Sequence, residues 1–304
     1  SSRQSSMMMN GDDYQMSADG DFRINSMVNT DDFSFLFPNE QSSVHQLSRL
    51  GFVQPLPSQA HFMAAFMSVM NNRSGKPYLS VQTNNEAGKT TGLALSLLST
   101  LDASSSALQV IILSSSNKTD FPDAMAKFSA VRPLGVSSFV GSEIAENDVK
   151  QFARASQPFF PNILYGHPTR IQNVVQNGQL ELGSVSLFVM DDTAEILADD
   201  LSTEVCQIAA FVQSKSRFRL KYISLSRSVP RDLRGTLLTV RKTLTRPHLS
   251  LWDDAATRKK AKEINHYAVC APQEDWAKAL QQLQQTMGVL FKITFFKLGN
   301  VPTF

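Results

Sequence analysis

YLSVQTNNEAGKT, residues 78–90, decides the fold. Its first five residues are an aromatic and aliphatic run, closed by turn-forming Thr and Asn, which reads as a short strand. Its last three, Gly88, Lys89 and Thr90, open a helix. A glycine, a lysine and a hydroxyl between a strand and a helix N-terminus make the second half of a phosphate-cradling loop of the form G-x-x-x-x-G-K-[ST]. There the glycines let backbone N–H groups wrap phosphates, the lysine reaches the β and γ phosphates, and the hydroxyl binds Mg²⁺. The first half departs from the pattern: Thr83 stands where glycine is usual, and Glu86 lies inside the loop. A carboxylate among phosphates costs Coulomb energy unless it turns to solvent. G-K-T is a short string, so its weight depends on what surrounds it.

Around it the chain alternates apolar strands with helical stretches. Strands are read at 78–82, 108–113, 136–140, 162–166, 185–190 and 221–226. Helices are read at 44–50, 60–70, 89–101, near 121–131, 145–154, 169–177, 194–212 and 230–239. Continuous apolar strands between helices predict an α/β fold, three layers deep, whose mostly parallel sheet is covered on both faces. Ligands in such folds bind beyond the carboxyl ends of the strands. The positions to inspect therefore follow Gln82, Leu113, Gly166, Met190 and Ser226.

The chain has 304 residues, 42% of them hydrophobic, enough for one large core or for one core and the start of another. Twenty-nine basic against 27 acidic residues leave a net charge of +2, so bulk charge declares no nucleic-acid binder and gives no DNA-specific signal. Any basic groove has to come from local clustering. Cys206 and Cys270 have neither disulfide-framework nor metal-ligand spacing, and read as reduced core thiols of a cytoplasmic or nuclear protein. No apolar run is long enough to span a membrane. The start, SSRQSSMMMN, lacks an initiator Met and an apolar signal core, as expected of a fragment. Residues 1–32 are polar, carry six Asp and show no period, and read as a disordered tail. The five histidines show no metal spacing, and only His167 falls at a strand end.

Upstream, GFVQPLPSQ (51–59) is similar to the Q motif of DEAD-box ATP-dependent RNA helicases, with Gly51, Phe52, Pro55, Pro57 and Gln59 matching. This Pro-x-Pro turn lies about thirty residues before the G-K-T, as it does in that family. The resemblance implies a RecA-like P-loop lobe binding ATP and Mg²⁺. It implies that Gln59 reads the adenine edge and that an aromatic some seventeen residues earlier, Phe35 or Phe33, stacks on the base. With Phe52, Gly88, Lys89 and Thr90, these make the nucleotide set. Where the family touches RNA after its second strand, this chain has Ser115, Ser116, Asn117, Lys118 and Thr119; Ser116 and Lys118 are the expected contacts. Gly141 stands near the family's paired-glycine motif. GHPTR (166–170) resembles T-P-G-R, and Arg170 is the expected phosphate ligand, since a guanidinium fork grips phosphate bidentately.

VSLFVM runs into DDTAEIL (191–197), which resembles V-L-D-E-A-D-E-M-L. By that resemblance Asp191, with Thr90, orients Mg²⁺, and Asp192 takes the place of the glutamate that polarises the attacking water. Asp is one methylene shorter, and displacing a general base by about 1 Å can cost on the order of a hundredfold. Ala194 replaces the Asp that links ATP to the next motif. Two Asp before a helix also serve as an ordinary N-terminal cap. Strand 221–226 ends in SRSVP, where the family has S-A-T; Ser226 and Ser228 keep hydroxyls and Arg227 replaces a small residue. Lys89, Asp191 and Asp192 are thus the candidate catalytic set, and Ser226 and Ser228 the coupling pair.

The lobe is expected to span 33–245. Residues 246–304 read as the linker and an incomplete start of a second RecA-like lobe: INHYAVC (264–270) and a helix at 273–287 resemble the entry into that lobe and 292–297 its first central strand, and a single strand cannot bury both of its faces. NNRSGKPYLSVQ and LDASSSALQVIILSSS look most like the mRNA-export branch of the family. The expected partners are single-stranded RNA and protein regulators of RNA export or processing. Three readings stand open: a weak ATP and RNA binder with slow or no turnover, a pseudo-helicase scaffold, and a working ATPase completed by a second lobe outside these residues.

Overall fold

The computed structural model describes residues 14–16, 22–24, 31–71, 78–83, 88–115, 119–145, 147–149, 161–177, 180–227, 232–244, 248–252, 275 and 278. The chain divides into units Ser1–Arg258 and Lys259–Phe304. In the second, Asp275 and Lys278 alone are described, so the elements expected at 264–270, 273–287 and 292–297 lie outside the described residues.

The first unit opens with two short strands, β1 (Tyr14–Met16) and β2 (Phe22–Ile24), paired antiparallel. These pairings correct the expectation of a wholly unstructured leader; three-residue strands are too short to show a period in sequence. A 3-10 turn, Phe33–Phe35, precedes α1 (Gln41–Arg49) and α2 (Pro57–Met70). There follow β3 (Tyr78–Gln82), α3 (Lys89–Thr100), β4 (Val110–Leu113), α4 (Asp120–Lys127), β5 (Val136–Phe139), β6 (Ile163–Gly166) and α5 (Pro168–Asn177). The unit continues with β7 (Leu187–Met190), α6 (Thr193–Ala198), α7 (Ser202–Lys215), β8 (Lys221–Ser226), α8 (Arg234–Leu244) and β9 (His248–Trp252).

Seven strands form one sheet in the order β5-β6-β4-β7-β8-β3-β9, every pair parallel. The two-residue side-chain alternation sorts the strands' apolar residues onto two cores. Leu79, Val81, Val110, Ile112, Val189 and Ile223 face one cluster with α2, α3 and α4. Tyr78, Ile111, Leu113, Phe188, Met190 and Tyr222 face the other, with α5, α7 and α8. On α7 the buried residues Val205, Ile208, Ala209 and Val212 follow the i, i+3, i+4, i+7 stripe of a helix with one covered side. Helix α2 is buried on nearly every face, as its apolar composition predicts.

Two boundaries differ from the sequence reading. The helix expected at 194–212 is two, broken at Asp199–Leu201, where Asp200 takes a left-handed φ of 58°. The stretch 248–252, read as linker, pairs with β3 along its length, which the polar spacing around it concealed. Of the helix expected at 145–154, residues 145 and 147–149 are described, and 147–149 is helical. Cys206 is a free, half-buried thiol and Cys270 lies outside the described residues. Among the described residues no helix is long and apolar enough to cross a membrane.

Candidate nucleotide site

Gly88 caps α3 with φ 68° and ψ 33°, the left-handed conformation that glycine adopts at least cost. It is also hemmed in: a Cβ there would meet Nε2 of Gln59 at 2.1 Å. Both ends of that amide are engaged, Nε2 donating to the Gly88 carbonyl at 3.1 Å while Oε1 accepts from the Leu56 N–H at 2.9 Å. Gln59 thus staples the start of α2 to Gly88 at the head of α3. Residues 84–87, with Glu86, lie outside the described residues.

Lys89 begins α3 and donates to the Thr83 carbonyl at 3.3 Å. Burial pushes its ammonium below the ordinary lysine value, opposed by the charges of Asp191 and Asp192. Asp191 continues the sheet, its N–H donating to the Leu113 carbonyl at 2.8 Å, which plants its carboxyl at the carboxyl end of β7. It is buried, and burial, then the neighbouring Asp192, raises its pKa to about 7. Asp192 caps α6 in the left-handed region, φ 56° and ψ 47°, and its N–H donates to Oδ1 of Asp191 at 3.1 Å. Short Asp is among the few residues that tolerate this conformation. Thr193 Oγ1 donates to the Met190 carbonyl at 3.1 Å.

These groups line one cavity of about 430 Å³. From the strand ends come Gly88, Lys89, Thr90, Thr91, Asp191 and Asp192. The opposite wall is Asp120, Phe121 and Ala124 of α4 with Tyr165 of β6, and Arg227 closes it after β8. Phe121 and Tyr165 stack at 5.3 Å between ring centroids, 19° apart. Arg227 is paired with Glu195 of α6. Ser226 is buried; its hydroxyl donates to the Arg227 carbonyl at 2.6 Å, and its own carbonyl accepts from the Thr83 N–H at 3.1 Å.

Five expected residues, Gly88, Lys89, Thr90, Asp191 and Asp192, therefore converge, with Ser226 next to them. Gln59 does not line the cavity. Phe33 is buried in the core, and Phe35 packs partly buried against it. Phe52 packs edge-on to Phe128 at 5.0 Å with the Lys127 ammonium 4.6 Å over its ring. Neither Phe35 nor Phe52 lines the cavity.

Gly141, at φ 89°, follows β5 beside Arg170. Arg170 is held internally: Nε and Nη2 donate to Asp148 at 2.8 and 2.6 Å, and Nη1 to the Val140 carbonyl at 2.5 Å. Its hydrogen bonds hold the Asp148 carboxyl below the ordinary range. His167 is buried, its Nδ1 accepting from the Thr169 N–H at 3.3 Å, and burial lowers its pKa. Ser116, Lys118 and Ser228 lie outside the described residues.

The sequence reading missed Asp120, Phe121, Ala124, Tyr165 and Thr91, and it saw Arg227 only as a lost small residue. Tyr165 ends a strand already singled out, and Asp120 starts the helix after β4; both were within reach of the strand-end rule.

A family model described as DEAD/DEAH box helicase matches residues 57–234. The ATP-dependent RNA helicase DeaD of Escherichia coli is 26% identical over 169 residues, 53% of this chain and 25% of that protein. Similar folds occur in a DEAD box protein from Methanococcus jannaschii, with a TM-score of 0.55 at 16% identity over 80% of this chain and 67% of that one. They occur also in Saccharomyces cerevisiae Dbp5 bound to RNA and ADP BeF3, with a TM-score of 0.60 at 14% identity over 84% of this chain and 61% of that one. The chain thus spans a quarter of the bacterial relative and about two thirds or less of these solved chains.

Proposed function

The chain belongs to the DEAD/DEAH box helicase family, and from that premise we propose that its RecA-like lobe, taken as 33–245 with strand β9 beside it, binds ATP with Mg²⁺ and turns it over slowly or not at all. The observation that carries this reading is the convergence of Gly88, Lys89, Thr90, Asp191 and Asp192 on one cavity at the carboxyl ends of β3 and β7.

The donor chemistry fits both groups. Mg²⁺ takes one or two carboxylates and a hydroxyl and leaves its other positions to phosphate and water. Thr90 and Asp191 supply that set, and a carboxyl raised to about 7 beside a second carboxylate is one that a cation would relieve. When bound, Mg²⁺ offsets charge building on the transferred phosphoryl group.

Lys89 would hold the β and γ phosphates of a bound nucleotide, with the backbone N–H groups of the α3 N-terminus beside it. Asp192 is the group placed to orient water, from a left-handed cap and on a side chain one methylene shorter than glutamate. Ala194 has no acceptor with which to join the site to Ser226. Both departures support slow turnover and weak or absent unwinding.

RNA, in single-stranded form, is the second ligand class in this proposal, extended from the family and from Dbp5, which the solved structure holds with RNA. Its path would cross the strand ends near Ser116, Lys118, Gly141 and Arg170. A role in RNA export or processing, with protein regulators and a cytoplasmic or nuclear location, belongs to the same proposal. The alternative, a pseudo-helicase scaffold, is favoured by Gln59 and Arg170, both occupied by internal contacts.

Phosphate release at saturating Mg-ATP, with and without single-stranded RNA, tests turnover. The unaltered chain should release phosphate far below about 1 per second, the low end for enzymes, without stimulation by RNA. Asp192→Glu with Ala194→Asp should raise the rate. RNA-stimulated release at about 1 per second or faster from the unaltered chain would overturn the slow-turnover reading.

A further inference from the structure

Arg227 occupies the place where the family pattern has a small residue, so nothing carried over from the resemblance gives it a role. Yet it lines the same cavity as Lys89, Thr90, Asp191 and Asp192, on the side of the two carboxylates. Its guanidinium is 49% exposed and pairs with Oε1 of Glu195 on α6. Among the described residues it makes that one hydrogen bond, so most of its five N–H donors are unspent. Glu195 grips it through one oxygen, the other, Oε2, being buried without a hydrogen-bond partner among the described residues. An exposed pair of this kind is weak in water, whereas a phosphate offers a guanidinium two parallel charge-assisted bonds.

Charge argues the same way. Lys89 is the other cation on the cavity wall, facing three carboxylates, Asp120, Asp191 and Asp192. A triphosphate entering there brings negative charge that one lysine and one divalent cation leave partly uncompensated.

Resting on the nucleotide reading above, we propose that Arg227 is an in-chain ligand for the terminal phosphate of a bound nucleoside triphosphate, and that Glu195 parks it at the cavity rim until that phosphate arrives. The exchange is local: the Glu195 carboxylate gives up the guanidinium, and phosphate oxygens take it. A diphosphate leaves the pair in place.

The test is titration of fluorescently labelled ATP and ADP, each with Mg²⁺, into the unaltered chain and its variants. Arg227→Ala should weaken ATP by about tenfold, the worth of one charge-assisted contact, and leave ADP within about twofold. Arg227→Lys should recover part of the loss, since lysine keeps the charge without the fork. Glu195→Gln, which frees the arginine, should tighten ATP and leave ADP alone. Equal weakening of both nucleotides by Arg227→Ala, or no weakening of either, would overturn the role of Arg227 with the nucleotide reading intact. Failure of the unaltered chain to bind either nucleotide would sink both.

Discussion

Arg170 and Arg227 stand at the carboxyl edge of the same sheet and have opposite fates. Arg170 is 15% exposed and meets a 4%-exposed Asp148 bidentately, with a third bond to the Val140 carbonyl. Arg227 is 49% exposed and holds one oxygen of a half-buried Glu195. The first arginine is part of the fold, because removing it would strip the buried Asp148 carboxylate of its countercharge; the second is replaceable as far as folding goes and free to change partners. Motif resemblance selects Arg170 as the phosphate ligand, while burial and pairing select Arg227. Which arginine binds phosphate depends on what else already holds it.

The comparison breaks first at Arg170→Ala. Removing one partner of a buried pair costs roughly 3–5 kcal/mol, and the residual water contact of Arg170 reduces that to about 2–3 kcal/mol. Thermal unfolding should show a Tm lower by roughly 5–10 °C. A loss of RNA affinity with unchanged Tm would instead make Arg170 a ligand.

The second test concerns the charge at Asp191. Its folded pKa of about 7 lies above the ordinary 3.8, so the native state favours the protonated carboxyl. The stability this gives is complete below about pH 4 and is lost as pH rises toward and through 7, where the buried carboxylate must ionise. Without nucleotide or Mg²⁺, Asp191→Asn should stabilise the chain at pH 8 relative to pH 5 by roughly 2 kcal/mol, read from denaturant midpoints at the two pH values. The same variant should lose Mg²⁺-dependent binding. A pH-independent difference would show that Asp191 is solvated.

Gly88→Ala should cost about 1–2 kcal/mol from the left-handed φ and the crowded Gln59 amide. Gln59→Ala at the same time should remove the steric part and leave the conformational part, which a double-mutant cycle separates. The smallest effect belongs to Arg227→Ala, whose Tm should stay within that of a surface substitution, about 0.5 kcal/mol. A larger loss would place Arg227 with Arg170 as a structural cation.

The strands and the loop were legible in sequence because both obey local rules. VIIL and LFVM are buried on both faces and read as parallel strands from composition alone, and Gly88-Lys89-Thr90 sits where a strand gives way to a helix. The break at Asp200 was not legible, since Asp is a common helix-surface residue and its positive φ leaves no trace in spacing. Strand β9 was hidden because its pairing with β3 is made across more than 160 residues. The second wall of the cavity escaped for the same reason: Phe121 and Tyr165 meet only through the sheet order, and motif matching looks along the chain. Asp148, which decides the fate of Arg170, lies in a helix read from the sequence, but its pairing spans 22 residues and belongs to no motif. Gln59 is marked by its motif, but its hydrogen bond to Gly88 joins residues 29 apart and leaves no trace in the spacing.

The central claim is that the convergence around Lys89 still holds a nucleotide. Titrating a fluorescent ATP analogue with Mg²⁺ into the unaltered chain and into Lys89→Ala tests it directly. Saturable binding by the first, weakened by about a hundredfold or more in the second, is the result expected when a half-buried ammonium no longer meets the β and γ phosphates. Equal and negligible binding by both would contradict the account and leave the fold serving as a scaffold.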